Sequence, residues 1–525
     1  MAQATTADGQ SRRSDRLVSG VLWNWAGIGV QLFTGVIVSP YIIRKLGTER
    51  YGIWALVFSL ASYYGFIDLG FRSAVVRFSA HYYTRRENPK VNELINTTFF
   101  YFSLAAAVLV CLTLILWRLA DRIFRVPPAL RDEFSLLVLI VGISISVGLN
   151  MSVFSGVVEG LQRFDISNRI RIVIFGLRGA GWFLLLMAGY GLVAMGWWSL
   201  ATSVVFFLLY LLYLRRIFPA LEFSRRFVTL SMFTETVSYG LHTFLASIGT
   251  QSLDQTPSLL IGYFRRAADV GYYNFPLRAI QYVSQAITNV GVVALPHAAS
   301  LAAEGRLDKV ASLGIYANRY CLSLFMPLAV FLTVYGTELF AIWVTPEFAR
   351  NAVYLLPPLI AGFGLGQAAQ FCTGSILFGL GEQKMYARAI VGEAAASIVF
   401  MVVVIPRYGV YGAAVVAAGL MTVTRGCIGP WILCRRLGFS FQRYMRSILA
   451  PPLAASVPAW LALWWLKRWG VLGKNWSELI LAGGVVCALY GVTALYLCVS
   501  RDHRKLLFSW AGQRLGRRDG SQRHS

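Results

Sequence analysis

The amino-acid sequence predicts an all-α polytopic membrane protein with about fourteen transmembrane helices. Of its 525 residues 57% are hydrophobic and only 14% are charged, whereas about a quarter of the residues of a soluble domain are charged. Apolar runs of the roughly 20 residues that a bilayer crossing needs follow one another with short polar breaks. Since no break is long enough for a soluble catalytic domain, we expect neither an enzyme nor a cofactor or metal site.

The apolar runs define the elements. The predicted segments are 17–43, 51–68, 93–117, 134–158, 168–189, 192–214, 237–262, 270–297, 315–342, 351–379, 386–405, 409–433, 444–466 and 477–499. Residues Tyr190–Gly191 and Arg407–Tyr408 leave so little chain between consecutive segments that they predict tight hairpins. Segments 237–262 and 270–297 are the least hydrophobic, so we expect them to face a polar cavity.

The distribution of basic residues predicts the orientation in the membrane. An even number of crossings places both termini on one side, and lysine and arginine concentrate in cytoplasmic loops. With the termini inside, 31 of the 48 basic residues are cytoplasmic, 14 lie outside and three lie within helices. The sequence therefore predicts an inner-membrane protein with cytoplasmic termini. The net charge of +24 then reflects orientation and attraction to anionic lipid, and we expect no nucleic-acid partner.

The chain also repeats itself. A shift of 219 residues places Gly52 over Gly271, and at nearly the same shift EGLQRFDISNRIRI (from Glu159) resembles FGLGEQKMYARAI (from Phe378). Six crossings per copy give both copies the same orientation, so a pseudo-twofold axis would run along the membrane normal. The predicted parts are a cytoplasmic tail (1–16), an N-terminal six-helix lobe (17–214), a cytoplasmic linker (215–236), a C-terminal six-helix lobe (237–433), an extra helix pair (444–499) and a basic cytoplasmic tail (500–525).

Three stretches resemble a known family. RKLGTERYGIWAL follows the first segment, IDLGFRSAVVRFSA ends the second, and LFGLGEQKMYARAIVGEAAASIVFMVVVIPRYGVYGAAVVAAGL is the most specific. Over residues 17–433 the chain resembles polysaccharide flippases of the Wzx type, within the superfamily of multidrug, oligosaccharidyl-lipid and polysaccharide exporters. The resemblance implies two lobes around a central cavity that opens alternately to each side. Its implied cargo is an undecaprenyl-pyrophosphate-linked oligosaccharide for surface polysaccharide, and its implied partners are a polymerase and a chain-length regulator.

The physical chemistry agrees with a flippase, and three alternatives stay open. A sugar–pyrophosphate head cannot cross hydrocarbon unaided, because its polar groups would lose water without replacement. A cation-coupled multidrug exporter of the same superfamily would need an acid-rich cavity. A flippase of the peptidoglycan precursor would share this architecture. A membrane-embedded polymerase or ligase would normally carry a large periplasmic loop, and the sequence has none.

Three arginines lie inside predicted helices. Arg178, Arg278 and Arg425 would each cost about 2.5–3.5 kcal/mol at the bilayer centre. One interpretation is that they line the cavity and hold phosphate oxygens, for which the guanidinium fork is suited. The other is that each pairs with a helical carboxylate or extends to the interface. We favour phosphate binding for Arg278, which lies in the polar eighth segment, and leave both interpretations open for Arg178 and Arg425.

Four more arginines lie near predicted cytoplasmic ends. Arg72 and Arg77 follow the second segment, where they would receive the pyrophosphate as it enters. The alternative is that they only set the topology of an ordinary loop. Arg169 and Arg171 belong to a predicted cytoplasmic loop, and we expect them to be topological only.

Two carboxylates are candidates for binding a coupling proton or sodium ion. Asp254 and Glu393 lie within predicted segments, and an ion-driven transporter needs a carboxylate whose occupancy differs between its states. The alternatives are that Asp254 caps a break at Pro257 and that Glu393 pairs with Arg425.

Two amides complete the candidate site. Asn24 and Gln31 are seven residues apart in the first segment, so they share one helix face. They would contact sugar hydroxyls. Alternatively, they bond neighbouring helices, as amides in membrane helices often do.

Overall fold

Helices account for nearly all of the structure. The computed structural model describes residues 34–505, except 69, 292–293 and 369, together with Gly29 and Ser509. Within these residues the β-type pairing is an isolated bridge between Arg125 and Arg266. The predicted all-α class is therefore confirmed.

The helices are numbered in chain order. The first nine are α1 Ser39–Leu46, α2 Thr48–Ser62, α3 Phe71–Thr84, α4 Asn88–Ile123, α5 Arg131–Gly160, α6 Phe164–Met187, α7 Leu192–Ile217, α8 Leu230–Phe264 and α9 Ala267–Gly291. The others in the described part of the chain are α10 Ala294–Ala303, α11 Leu307–Trp343, α12 Pro346–Ala352, α13 Leu356–Ala361, α14 Thr373–Gly379, α15 Gln383–Met421, α16 Gly429–Leu437, α17 Phe441–Arg468 and α18 Trp476–Leu497. In the same residues, π-helical turns lie at Thr34–Val38, Gly362–Gly366 and Thr422–Ile428.

Among the described residues, eight helices are long and apolar enough to cross a membrane, and α2 with α3 would make a ninth, broken span. One of the eight runs over residues 384–437, although two crossings are predicted there. Gly409 has φ +61°, and a Cβ on Gly412 would lie 2.5 Å from Val404 Cγ1. Eight residues of straight helix span about 12 Å, so the chain folds back here, where the sequence predicts a hairpin. The total of fourteen crossings stays a prediction.

Helix boundaries repeat at the spacing found in the sequence. Three pairs of helices begin 219 residues apart. Their first residues are Thr48 and Ala267, Asn88 and Leu307, and Phe164 and Gln383. The turns repeat as well, because Arg86 and Gly305, and Gln162 and Gly381, share a positive φ at the same spacing. Glycine adopts a positive φ at little cost. At these two turns the second copy has glycine, whereas the first copy has Arg86 and Gln162.

The chain folds into two compact units. Unit 1 consists of residues 1–279 with 390–413, and unit 2 of residues 280–389 with 414–525. The core of unit 1 includes Phe154 and Val157 of α5, whereas that of unit 2 includes Leu322 of α11 and Ala455 of α17. This division does not follow the predicted lobes at 17–214 and 237–433, which stay a prediction.

In unit 1, α3 and α5 approach closely at Gly160. A Cβ added there would lie 2.6 Å from the Val76 carbonyl oxygen and 2.7 Å from Ser79 Cβ. Small residues allow membrane helices to pack backbone against backbone in this way. The contact brings the last turn of α5, which carries Glu159, against the helix that carries Arg72.

The linker between α7 and α8 is fixed to α4 by side chains. Asn92 donates to the Ala220 carbonyl at 2.7 Å and accepts from the Glu222 amide at 3.1 Å. Asn96 donates to the Glu222 carbonyl at 2.7 Å and accepts from the Ser224 amide at 2.9 Å. Both asparagines are buried, so the linker is an ordered part of unit 1.

Candidate functional site in the membrane-embedded helices

The helix breaks near the end of the second predicted segment. Helix α2 ends at Ser62, a 3-10 turn covers Tyr63–Asp68, and α3 begins at Phe71 after Gly70, whose φ is +73°. The predicted segment ends at residue 68; in the structure α3 follows the break and continues to Thr84. A helix break leaves backbone groups without helical partners, and inside a membrane the protein itself must satisfy them.

Helix α8 provides polar side chains beside this break. The Gln251 side chain donates to the Ser62 carbonyl at 3.0 Å, and the Tyr63 hydroxyl is hydrogen bonded to the Thr256 hydroxyl. Pro257 lies inside α8, so the carbonyl of Leu253 lacks its helical donor. The break and α8 together form a polar region within the membrane-embedded helices.

Arg278 belongs to the same region, on α9. Its Nη2 donates to Gln255 Oε1 at 3.4 Å, and one turn earlier Asn274 donates to the Ser258 hydroxyl at 2.8 Å. Asp254 directly precedes Gln255 in α8, and Tyr273 directly precedes Asn274 in α9. We refer to this set as the polar cluster: Ser62, Tyr63, Gln251, Asp254, Gln255, Thr256, Asn274 and Arg278.

The polar cluster combines groups suited to a phosphorylated sugar. Arg278 offers a guanidinium fork for phosphate oxygens, and the amides and hydroxyls can donate to and accept from sugar hydroxyls. Gln255 is 8% exposed and Asn274 is 3% exposed. Every member lies in unit 1.

The two predicted coupling carboxylates also lie in unit 1. Asp254 is half-buried on α8, and Glu393 is 3% exposed on α15. A Cβ on Gly249 would lie 3.1 Å from Ile390 Cγ2, so α8 and α15 pack closely one turn away from Glu393. The structure places the carboxylates on packed helices, and their role stays a prediction.

Arg178 lies away from the polar cluster, between α6 and α7. Its Nε donates to the Thr202 hydroxyl and its Nη2 to the Ser203 hydroxyl, both at 2.9 Å. A weaker contact of 3.5 Å reaches the Ser199 carbonyl. Thus, in the part of the chain that the structure describes, Arg178 contacts hydroxyls and a carbonyl rather than the carboxylate that one interpretation required.

Arg72 is paired, and its partner holds a second arginine. Arg72 Nη2 lies 2.7 Å from Glu159 Oε1, and Arg171 Nη2 lies 3.0 Å from the same oxygen. The sequence predicted only a topological role for Arg171, and Glu159 was not among the predicted site residues. The sequence did contain one signal for Arg171. It lies seven residues before Arg178, so the two arginines share one face of α6.

Four predicted residues remain, of which the structure describes Arg77 and Arg425. Arg77 is exposed, and its guanidinium lies 4.5 Å from the centre of the Tyr239 ring. Arg425 lies in unit 2 within the π-helical turn Thr422–Ile428, and π-turns are frequent at functional sites. Asn24 and Gln31 lie outside the described residues.

The comparisons with known proteins identify the family. The sequence profile of the polysaccharide biosynthesis protein family matches residues 17–301, which is more than half of the chain. The chain belongs to this family. All eight members of the polar cluster lie within the matched residues.

Two relatives extend the match beyond residue 301. The uncharacterized membrane protein EpsK of Bacillus subtilis is 24% identical over 498 residues, covering 91% of this chain and 94% of EpsK. A protein of Shigella flexneri, described as a candidate O-antigen transporter, is 20% identical over 413 residues, covering 76% of this chain and 93% of that protein.

Two solved structures show the fold of this polysaccharide biosynthesis protein. The lipid II flippase MurJ in an inward closed conformation has a TM-score of 0.69 at 13% identity, covering 93% of this chain and 100% of MurJ. An inward-facing multidrug resistance MATE family transporter of the MOP superfamily has a TM-score of 0.66 at 12% identity, covering 78% of this chain and 95% of the transporter. The chain is thus a multi-pass membrane protein with the MOP fold.

Proposed function

We propose that this protein moves an undecaprenyl-pyrophosphate-linked oligosaccharide from the cytoplasmic to the periplasmic leaflet of the inner membrane by alternating access, for surface polysaccharide biosynthesis. The polar cluster is the observation that carries the proposal. It combines an arginine, a carboxylate, three carboxamides and three hydroxyl-bearing side chains at a broken helix of a polysaccharide biosynthesis protein. The Shigella flexneri relative, described as a candidate O-antigen transporter, supports the same class of cargo.

The cluster provides the groups that a pyrophosphate–sugar head needs as it leaves water. Arg278 would bind the phosphate oxygens, and Gln255 and Asn274 would replace water at the sugar hydroxyls, because burial of an unpaired polar group is costly. Asn24 and Gln31 would extend the sugar site from the first segment. Four further arginines are proposed to help attract or hold the pyrophosphate: Arg72, Arg77, Arg178 and Arg425.

Asp254 and Glu393 are proposed to bind the coupling proton or sodium ion. Both are carboxylates in membrane-embedded helices, where an ionisable side chain is expensive unless it has a partner or a function. A change in their occupancy between states would connect an ion gradient to transport. A polysaccharide polymerase and a chain-length regulator are proposed as partners at the membrane, and both termini are proposed to be cytoplasmic.

A second candidate function is cation-coupled multidrug export. The half-buried Asp254 in the polar cluster favours it, since a carboxylate would attract a cationic drug, and a multidrug transporter shares the fold. Because the same cluster contains Arg278, we place the oligosaccharide first. Cargo analysis separates the two functions.

The test is replacement of the chromosomal copy by Arg278→Glu, followed by extraction of lipid-linked saccharides. The substitution turns attraction for pyrophosphate into repulsion, which should lower the affinity for the cargo several-fold or more. Surface polysaccharide should therefore be lost, and the lipid-linked oligosaccharide should accumulate. Arg131→Glu is the matched control, because Arg131 is exposed at the first residue of α5.

Membrane levels of both variants should equal those of the wild type. Normal polysaccharide in Arg278→Glu would remove Arg278 from the site. Unchanged lipid-linked pools on depletion of the protein, with new sensitivity to cationic dyes, would replace the flippase proposal with the drug exporter.

A further inference from the structure

Two arginines from different helices share one carboxylate in unit 1. Glu159 Oε1, in the last turn of α5, accepts from Arg72 Nη2 of α3 at 2.7 Å and from Arg171 Nη2 of α6 at 3.0 Å. The Ser167 hydroxyl donates to the same oxygen at 2.8 Å and is itself bonded to the buried Tyr210 hydroxyl at 2.9 Å. We refer to Arg72, Glu159, Ser167 and Arg171 as the shared-carboxylate cluster.

The shared-carboxylate cluster keeps a net positive charge. One carboxylate faces two guanidinium groups, and the nearby Asp165 is paired with Arg163 at 3.3 Å. In the part of the chain that the structure describes, Glu159 is the only acidic partner within ion-pair distance of either Arg72 or Arg171. Each guanidinium has five N–H donors, so most of the donors remain available.

The two arginines are accessible, whereas their anchor is not. The side chains of Arg72 and Arg171 are each 40% exposed, and that of Glu159 is 12% exposed. Glu159 therefore holds both guanidinium groups in position from their buried side. The exposed edges remain available for an anion.

The cluster lies toward one end of α5 and of α6. Helix α5 ends at Gly160 and α6 begins at Phe164, so Arg171 lies about 10 Å along α6 from its first residue. Val173 and Leu177, farther along α6, are 60% and 42% exposed, as expected of a helix that faces lipid.

We propose that Arg72 and Arg171 bind the phosphate group of a lipid in the cytoplasmic leaflet, with Glu159 as the positioning residue. Guanidinium forks match phosphate oxygens in geometry and charge, and basic pockets between transmembrane helices bind anionic head groups. The phosphate comes either from a bilayer phospholipid or from a polyprenyl pyrophosphate. Only the second source rests on the proposed function.

The test measures lipid binding to the purified full-length protein by native mass spectrometry. Three probes are added separately: phosphatidylglycerol, undecaprenyl pyrophosphate and a diacylglycerol that lacks phosphate. Arg72→Gln and Arg171→Gln should each raise the Kd of at least one phosphate lipid about tenfold or more. Binding of the diacylglycerol should not change.

Two further variants separate recognition from folding. Arg171→Lys keeps a cation beside Glu159 but removes the fork, so it should weaken phosphate binding while the protein stays intact. Arg163→Gln is the matched control, because it removes the same charge from an arginine that pairs alone with Asp165, and it should bind like the wild type.

The pattern across the probes identifies the source of the phosphate. Weakening for phosphatidylglycerol alone assigns the cluster to bilayer lipid, and weakening for undecaprenyl pyrophosphate alone assigns it to cargo entry. Equal binding of all three probes to the wild type, or equal weakening by Arg163→Gln, overturns the inference. Such a result would leave the proposed function intact, because that depends on the export phenotype of Arg278→Glu.

Discussion

Replacement of Gly160 by alanine should separate α3 from α5. The added Cβ would lie 2.6 Å from the Val76 carbonyl oxygen and 2.7 Å from Ser79 Cβ. Ordinary contact requires 3.4 Å or more, so α3 would have to move by about 0.8 Å at a backbone atom that cannot rotate away. Overpacking of this kind costs about 1–3 kcal/mol, and the helix propensity gained by removing glycine returns less than about 1 kcal/mol.

The same helix supplies a graded control series. A Cβ on Gly148 meets nothing within 4 Å, so Gly148→Ala should leave the stability unchanged or raise it by up to about 1 kcal/mol. A Cβ on Gly156 would lie 3.1 Å from Val75 Cγ1, a methyl group that can shift, so Gly156→Ala should fall between the two. The expected order of stability is therefore Gly148→Ala, Gly156→Ala, Gly160→Ala.

Thermal unfolding of the purified protein in one detergent, followed by size-exclusion chromatography, measures this order. A lipid-binding measurement on Gly160→Ala adds a second readout, because movement of α5 carries Glu159 away from Arg72. The packing argument is refuted if Gly160→Ala is as stable as Gly148→Ala.

Two other substitutions test the linker and the coupling site. Asn96→Ala leaves the Glu222 carbonyl and the Ser224 amide without their side-chain partner, at about 1–3 kcal/mol for each group that water does not reach, so trypsin should cleave faster at Arg225 and Arg226. Asn351→Ala, at an exposed asparagine of unit 2, should not change the cleavage rate, and equal rates for both variants would contradict an ordered linker. Asp254→Asn should make transport in proteoliposomes insensitive to the imposed proton or sodium gradient. Asp165→Asn is the control, because Asp165 pairs with Arg163, and it should keep the gradient dependence. If Asp254→Asn keeps that dependence as well, the coupling proposal is wrong.

Local sequence pattern was sufficient for the fold class, the hairpin at residues 407–408 and the repeat. These features depend on apolar runs and on turn residues close together in the chain. The continuation of the second segment was missed because Arg72 and Arg77 make residues 69–77 resemble a polar loop. Their partners are distant in sequence. Glu159, for example, lies 87 residues from Arg72, so no local sequence pattern predicts that the two residues pair.

The candidate site shows the same division. The polarity of segments 237–262 and 270–297 pointed to Arg278 and Asp254 from composition alone. The helix break that they adjoin could not be predicted, because the contact between Tyr63 and Thr256 joins residues 193 positions apart. A single sequence reports which groups are unusual for a membrane, and only the folded chain reports which of them meet.

The partners of the membrane arginines suggest why their charges are retained. A buried charge needs acceptors around it, and a carboxylate would satisfy it most fully, but would also cancel its attraction for an anion. Arg178 is instead held by the hydroxyls of Thr202 and Ser203, which orient the guanidinium and leave its charge in place. The carboxylate of Glu159 is divided between Arg72 and Arg171. Both arrangements therefore keep one positive charge within unit 1 that can attract an anion.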